Sequence, residues 1–231
     1  MPDHKTIYQQ YALQYQRLVG REDYQNQLVP ALQRIAPLQD CRVVETGAGT
    51  GRLTCLLAPY AASLCAFDIS AAMLAVAGER LRQSGHRRYQ LGVADHRRLP
   101  VASGCADLAL SGWSVAYLVD WGAHDWRAEV AAALTEMQRV VRPGGSIVII
   151  ETQGTGCETP HAPEKLLPYY AFLESHGFSS AWIRTDYQFA SLEEALELTG
   201  FFFGEELADQ VRSAHSPILP ECTGLWWRQR P

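Results

Sequence analysis

Glu45-Thr46-Gly47-Ala48-Gly49-Thr50-Gly51 places a carboxylate at the mouth of a loop with three alternate glycines. Such spacing removes Cβ atoms from every second position, so positive φ is allowed and a ligand can lie against bare backbone N–H groups. Asp68 follows 21 residues after Gly47. A carboxylate about 20 residues beyond a glycine turn is placed to accept hydrogen bonds from ribose hydroxyls. Ile69 and Met73 come close enough behind it to line an adenine slot, although ordinary helix packing satisfies them equally. A dinucleotide site would have its third glycine at position 52, completing G-x-G-x-x-G for a pyrophosphate. Arg52 stands there instead. The spacing behind Glu45 suits a nucleoside that carries a cationic amino-acid portion and no pyrophosphate.

These groups need strands that end together. The β-branched run from Cys41 to Val44 predicts a buried strand, and Arg52 to Ala58 a helix stopped by Pro59. A second strand over Ala62 to Phe67 ends at Asp68, and Ser70 caps a helix reaching about Gln83. Tyr89 to Ala94 is a third strand that ends at Asp95-His96, and Ala106 to Ser111 a fourth that ends at Ser111-Gly112-Trp113. In an open α/β sheet the ligand crevice lies outside the carboxyl ends of the strands. Ser111 and Trp113 therefore join the candidate site, with plain packing the other use for the indole. A helix over Asp125 to Val141 leads through Arg142-Pro143-Gly144-Gly145 into the strand Ser146 to Glu151. Beyond it come a loop to Pro163, a helix to Ser175, a sixth strand over Ser179 to Phe189, a helix over Leu192 to Thr199 and a last strand over Gly224 to Arg228.

The glycine loop, Asp68, the run Ala94 to Pro100 and the helix-Arg-Pro-Gly-Gly-strand unit occur here in order. In this combination the chain resembles the class I (Rossmann-like) S-adenosylmethionine-dependent methyltransferases of small-molecule type, strongly over residues 41–152 and loosely on the flanks. The resemblance implies an α/β fold with a seven-stranded, mostly parallel sheet, an antiparallel last strand and helices on both faces. It implies a helical lid over residues 1–40, a cofactor-binding domain over 41–231 and a substrate cap at about 152–178. S-adenosylmethionine would be the cofactor and S-adenosylhomocysteine the product. Asp95 would accept from the adenine amine, and the backbone N–H of His96 would meet the ring. Tyr8, Tyr11 and Tyr15, at spacing three and four, resemble the lid pattern, and a helix face packed on the core has the same spacing. The implied cofactor set is Tyr15, Glu45, Gly47, Ala48, Gly49, Gly51, Asp68, Ile69, Met73, Asp95, His96, Ser111 and Trp113.

Composition narrows the partners. With 231 residues, 47% hydrophobic content and a net charge of −5, one α/β domain is expected and a polyanion is not. The polar N-terminus lacks a signal-like apolar segment, and no stretch approaches the ~20 apolar residues that cross a bilayer. The expectation is a cytoplasmic monomer or homodimer without a nucleic-acid or membrane partner. Six scattered cysteines contain no C-x-x-C pair, so no metal site is expected. Tyr117, His124 and His161 are the candidate bases, each a residue type more often structural. The aromatics Tyr117, Trp121, Trp126, Tyr169, Tyr170 and Phe172 favour an apolar or aromatic small-molecule acceptor, or else pack the core. Ser111-Gly112-Trp113-Ser114 stands after the fourth strand, where in the resembling family an Asn-Pro-Pro-Tyr tetrapeptide accompanies methylation of amide or amine nitrogens in bases and glutamine, so the resemblance disfavours those acceptors. A non-catalytic cofactor-binding protein and, more remotely, a nucleotide-dependent oxidoreductase are the alternatives.

Overall fold

The computed structural model describes residues 6–7, 10–120 and 125–231. Tyr8, Trp121 and His124 lie outside them. Five strands come first in the sheet: β1 (Arg42–Thr46), β2 (Ser63–Asp68), β3 (Tyr89–Val93), β4 (Ala106–Gly112) and β5 (Val141–Thr155). All of their mutual pairings are parallel. Two more strands, β6 (Ser179–Arg184) and the last, β9 (Glu221–Gln229), complete the order β3-β2-β1-β4-β5-β9-β6. Only β9 runs against its two neighbours. The Arg-Pro-Gly-Gly stretch opens β5 as a bulge: Ala106 pairs with Val141, but Leu108 pairs with Ser146. Residues 142–145 are thus left out of the ladder, with Gly144 at φ +76° and its N–H bonded to the carbonyl of Arg230.

Strand alternation divides the core between the two faces. Ile147 and Ile149 join Val44, Met137, Tyr169 and Trp226 on one side. Val148 and Ile150 join Leu32, Leu53, Leu57 and Leu108 on the other. Helices cover both faces: α1 (Ala12–Val19), α2 (Leu28–Ile35), α3 (Arg52–Leu57), α4 (Ala71–Gln83), α5 (Tyr117–Asp120), α6 (Trp126–Val140) and α7 (Leu167–Ser175). The expected cap is made, since Ser70 Oγ accepts from the Met73 N–H; Asp125, expected within α6, caps it instead by accepting from the Ala128 N–H.

The C-terminal third departs from the sequence expectation. β6 ends at Arg184, not at Phe189, because the Arg184–Asp186 ion pair and the bond from the Glu221 N–H to Asp186 turn the chain. Tyr187 and Gln188 (β7) then pair with Ile218 and Leu219 (β8) in a separate two-stranded sheet. The expected helix runs on to Phe203 as α8 (Leu192–Phe203), and a further helix, α9 (Glu205–Ala214), follows. These helices and the N-terminal segment share a third apolar cluster, containing Ile7, Leu18, Phe189, Phe202, Val211 and Leu219. Arg17 bonds to Glu197 and Arg21 to Glu194, tying α1 to α8. No helix among the described residues is long and apolar enough to cross a membrane.

Candidate functional site

A cavity of about 770 Å3 opens at the carboxyl ends of β1, β2, β3 and β4. Its floor is the glycine loop, in which Gly47, Gly49 and Gly51 have φ of +72°, +53° and +78°. Each glycine meets something different. A Cβ at Gly51 would press within 2.8 Å of Ala77 on α4, so this residue lets the loop close on the helix. A Cβ at Gly49 would meet nothing nearer than Met73 Cε and a Tyr15 ring carbon, both at 3.9 Å. Gly49 is therefore where the backbone is bare toward the cavity.

Asp68 closes one side. Its two oxygens accept from the N–H groups of Gly49 and Ser70, at 2.8 Å each, which leaves lone pairs for a ligand. Burial, partly offset by those bonds, raises its pKa above the usual carboxylate value. Glu45 lies beneath the loop, where Thr54 donates to it at 2.6 Å. Its complete burial pushes the pKa up to about 8, so the carboxyl is protonated at neutral pH.

His96 joins the tips of three strands. Nδ1 is 2.8 Å from Thr46 Oγ1, and Nε2 is 3.1 Å from Ser114 Oγ. Enclosure by the protein drives its pKa down to about 4, and the ring is neutral. Asp95 is held below the usual carboxylate range by Arg97, which grips it at 2.7 and 2.5 Å and also binds Glu129. Both Asp95 and Arg97 line the cavity.

The opposite wall is aromatic and cationic. Trp113 takes φ +48°, an uncommon conformation for a bulky residue, and its N–H bonds to the Ile150 carbonyl at 2.6 Å. Its ring carries the Arg52 guanidinium, whose carbon is 3.9 Å from the centroid. Glu22, 30 residues away, forms an ion pair with one arm of Arg52. Glu22 also accepts from the Thr185 hydroxyl. The other terminal nitrogen of Arg52, Nη2, is buried without a hydrogen-bond partner. Tyr15, Tyr117 and Leu118 complete this wall.

The structure brings Tyr15, Glu45, Gly47, Ala48, Gly49, Asp68, Ile69, Met73, Asp95, His96, Trp113 and Tyr117 to one cavity. Gly51 sits under the loop and not on the cavity surface. Ser111 is fully buried in β4, and the cavity is lined instead by Gly112, Trp113 and Ser114 beyond it. His161 is exposed, with its backbone bonded to Gln153, and is not part of the cavity wall. The aromatics of α7 pack inward: Tyr170 stacks on Trp226 at 4.4 Å and Phe172 meets Trp126 edge-on at 5.7 Å. No described residue of 152–178 lines the cavity. Sequence reasoning missed Arg52 and Ser114 as wall residues. Arg52 was visible as the break in the dinucleotide pattern, whereas nothing local distinguishes Ser114.

The residues fit S-adenosylmethionine. Bare backbone at Gly49, a ribose acceptor in Asp68, the apolar Ile69 and Met73, and an aromatic wall for a cation match a nucleoside sulfonium. A parallel sheet with one reversed last strand and this cavity at its carboxyl edge defines the class I methyltransferase architecture. The methyltransferase-domain family model matches residues 44–149. Demethylmenaquinone methyltransferase of Mycobacterium marinum is 34% identical over 134 residues, covering 58% of this chain and 50% of the relative. Malonyl-[acyl-carrier protein] O-methyltransferase of Pectobacterium atrosepticum is 34% identical over 106 residues, 46% of this chain and 36% of the relative. The chain thus spans half or less of the length of these curated relatives. A Haemonchus contortus phosphoethanolamine N-methyltransferase, solved with S-adenosylhomocysteine, superposes with TM-score 0.61 at 16% identity, over 95% of this chain and 57% of that one. Over residues 44–149 the chain is thus similar to methyltransferase domains, on a fold of the class I type.

Proposed function

We propose that the protein transfers the methyl group of S-adenosylmethionine to a small-molecule acceptor. The observation that carries this reading is the Gly49–Asp68 pairing, a bare loop backbone locked to an acidic strand tip at the floor of the cavity. When bound, S-adenosylmethionine supplies a methyl group already activated by a sulfonium. The residues of this chain bind and align. Asp68 accepts from the ribose, Ile69 and Met73 flank the adenine, and Asp95 offers the lone pairs that Arg97 leaves free. Glu45, Gly47 and Ala48 form the loop under the amino-acid arm, while Tyr15 presents its ring to positive charge and Trp113, one face covered by Arg52, borders the arm. The helix that carries Tyr15 serves as the lid over this site, whereas Leu28–Ile35 packs on the sheet. Alignment alone lowers such a displacement barrier by ~7–11 kcal/mol, so a dedicated base is optional.

Trp113, Tyr117, Leu118 and Tyr15 give the acceptor region an apolar, aromatic lining, which supports a small organic acceptor. The curated relative named for demethylmenaquinone fits such a lining. With a net charge of −5 the same reading has no nucleic-acid partner, and it places the protein in the cytoplasm as a monomer or homodimer.

Isothermal titration with S-adenosylmethionine, S-adenosylhomocysteine and NAD(H) tests the reading. Micromolar affinity for the two sulfur ligands with none for NAD(H) is the expected result. Binding of NAD(H) alone would replace methyl transfer with an oxidoreductase.

A further inference from the structure

One end of the cavity carries three charged side chains that bond to one another. Asp95 and Arg97 come from the loop after β3, and Glu129 from the first turn of α6. All three line the cavity together with Ile69, Met73 and Ala94. Their side chains are 29%, 42% and 33% exposed, so a ligand can reach them. A carboxylate accepts about four hydrogen bonds, and a guanidinium carries five N–H donors. Arg97 takes up most of Asp95: its backbone N–H and Nε both donate to Oδ1, at 2.9 and 2.7 Å, and Nη2 donates to Oδ2 at 2.5 Å. Its Nη1 donates to Glu129 Oε2. Among the described residues, then, Asp95 has room for about one more donor, while Glu129 keeps a whole oxygen and Arg97 two N–H groups.

We infer that Arg97 and Glu129, and not Asp95 alone, select the adenine base of the cofactor. This rests on the methyltransferase reading above. The bonded Arg97–Glu129 pair presents a donor beside an acceptor. Adenine presents the complement, a ring nitrogen that accepts beside an exocyclic amine that donates. Glu129 accepts from the amine, and an Arg97 N–H goes to the ring nitrogen. Asp95 is a positioning residue, fixing the guanidinium through both of its oxygens. Asp68, by holding the ribose, keeps the base from sliding to another register.

The test compares S-adenosylhomocysteine with S-inosylhomocysteine, in which a carbonyl replaces the amine and the adjacent ring nitrogen carries a proton. Donor and acceptor are thereby exchanged and nothing else is altered. Both ligands are titrated by calorimetry into the wild-type protein, Arg97→Met and Glu129→Ala. The second variant leaves Asp95 paired, which guards against repulsion between the two carboxylates. Expected is a wild-type preference for the adenosyl ligand of about tenfold or more, lost for the most part in each variant as its affinity for that ligand falls. A purely structural role would weaken both ligands alike and leave their ratio unchanged, so an unchanged ratio in either variant overturns the inference. So does tighter adenosyl binding by Arg97→Met, because Asp95, released from the guanidinium, would then select the base. A wild-type protein that binds both ligands equally overturns it as well. One that binds neither would instead remove the methyltransferase reading beneath it.

Discussion

The hydroxyl of Ser114 fills the space that a side chain at residue 47 would need: a Cβ built on Gly47 would lie 1.9 Å from Ser114 Oγ and 2.4 Å from Ser114 Cβ. The loop after β4 is thereby seated on the glycine turn after β1, and His96 bonds to the same hydroxyl from the tip of β3. Gly47→Ala is expected to weaken S-adenosylhomocysteine binding by about tenfold or more, since both clash and positive φ oppose it. Adding Ser114→Gly removes the two nearest atoms and should restore part of the affinity. Calorimetry on the single and double variants checks this, and equal losses in both would contradict the steric account.

Gly49 faces open cavity, so a side chain there projects into the ligand space, and its φ of +53° adds backbone strain. Gly49→Val should abolish measurable S-adenosylmethionine binding. Asp68→Ala should cost about 10- to 100-fold in affinity and also lower Tm, because the N–H groups of Gly49 and Ser70 lose their acceptor. Unchanged calorimetric affinity in both variants would sink the site assignment.

His96 stabilises the fold only while neutral. Its pKa is about 4 in the native state against 6.5 when exposed, so between those values the unfolded chain binds more protons. The contribution is complete above pH 6.5 and is lost as pH falls toward 4. His96→Gln should flatten the Tm-against-pH curve across this window, as read by scanning fluorimetry. An unaltered slope would place the imidazole in solvent.

Glu45 behaves in the opposite sense. With a native pKa of about 8 against 4.5 when exposed, the folded state holds the extra proton between these values. Its contribution is complete below pH 4.5 and declines as pH rises to about 8. Glu45→Gln, which preserves the acceptor for Thr54, should raise Tm at pH 8 relative to wild type more than at pH 5. Parallel pH profiles for the two proteins would show Glu45 to be charged in the native state.

The sequence by itself determined whatever connectivity enforces. Strand, three glycines and helix are contiguous, so their type and spacing fix the turn. Asp68 and Asp95 each end a strand of the same sheet, which sends both to its carboxyl edge wherever the side chains then turn. The break at residues 142–145 was likewise legible, as a turn, because Pro143 and the two glycines cannot continue a ladder; that Val141 already pairs with Ala106, making it a bulge inside β5, was not. Tertiary structure decided the contacts between distant segments. The partner of Arg52 is Glu22, from the N-terminal segment, and His96 reaches Thr46 and Ser114 across three strand tips. Tyr169 and Tyr170 turn toward Trp226 and the core, although an aromatic on a helix face reads the same whether it meets a ligand or a sheet. Ser111 was drawn into the site by its place in the chain and removed from it by strand alternation, which buries residue 111 and leaves residues 112–114 at the cavity. The α8–α9 unit carries few strong local signals, and its position under α1 comes from packing among residues far apart in the chain. Local spacing sets a turn within a few residues. Which side chains then meet is a free-energy minimum of the whole core.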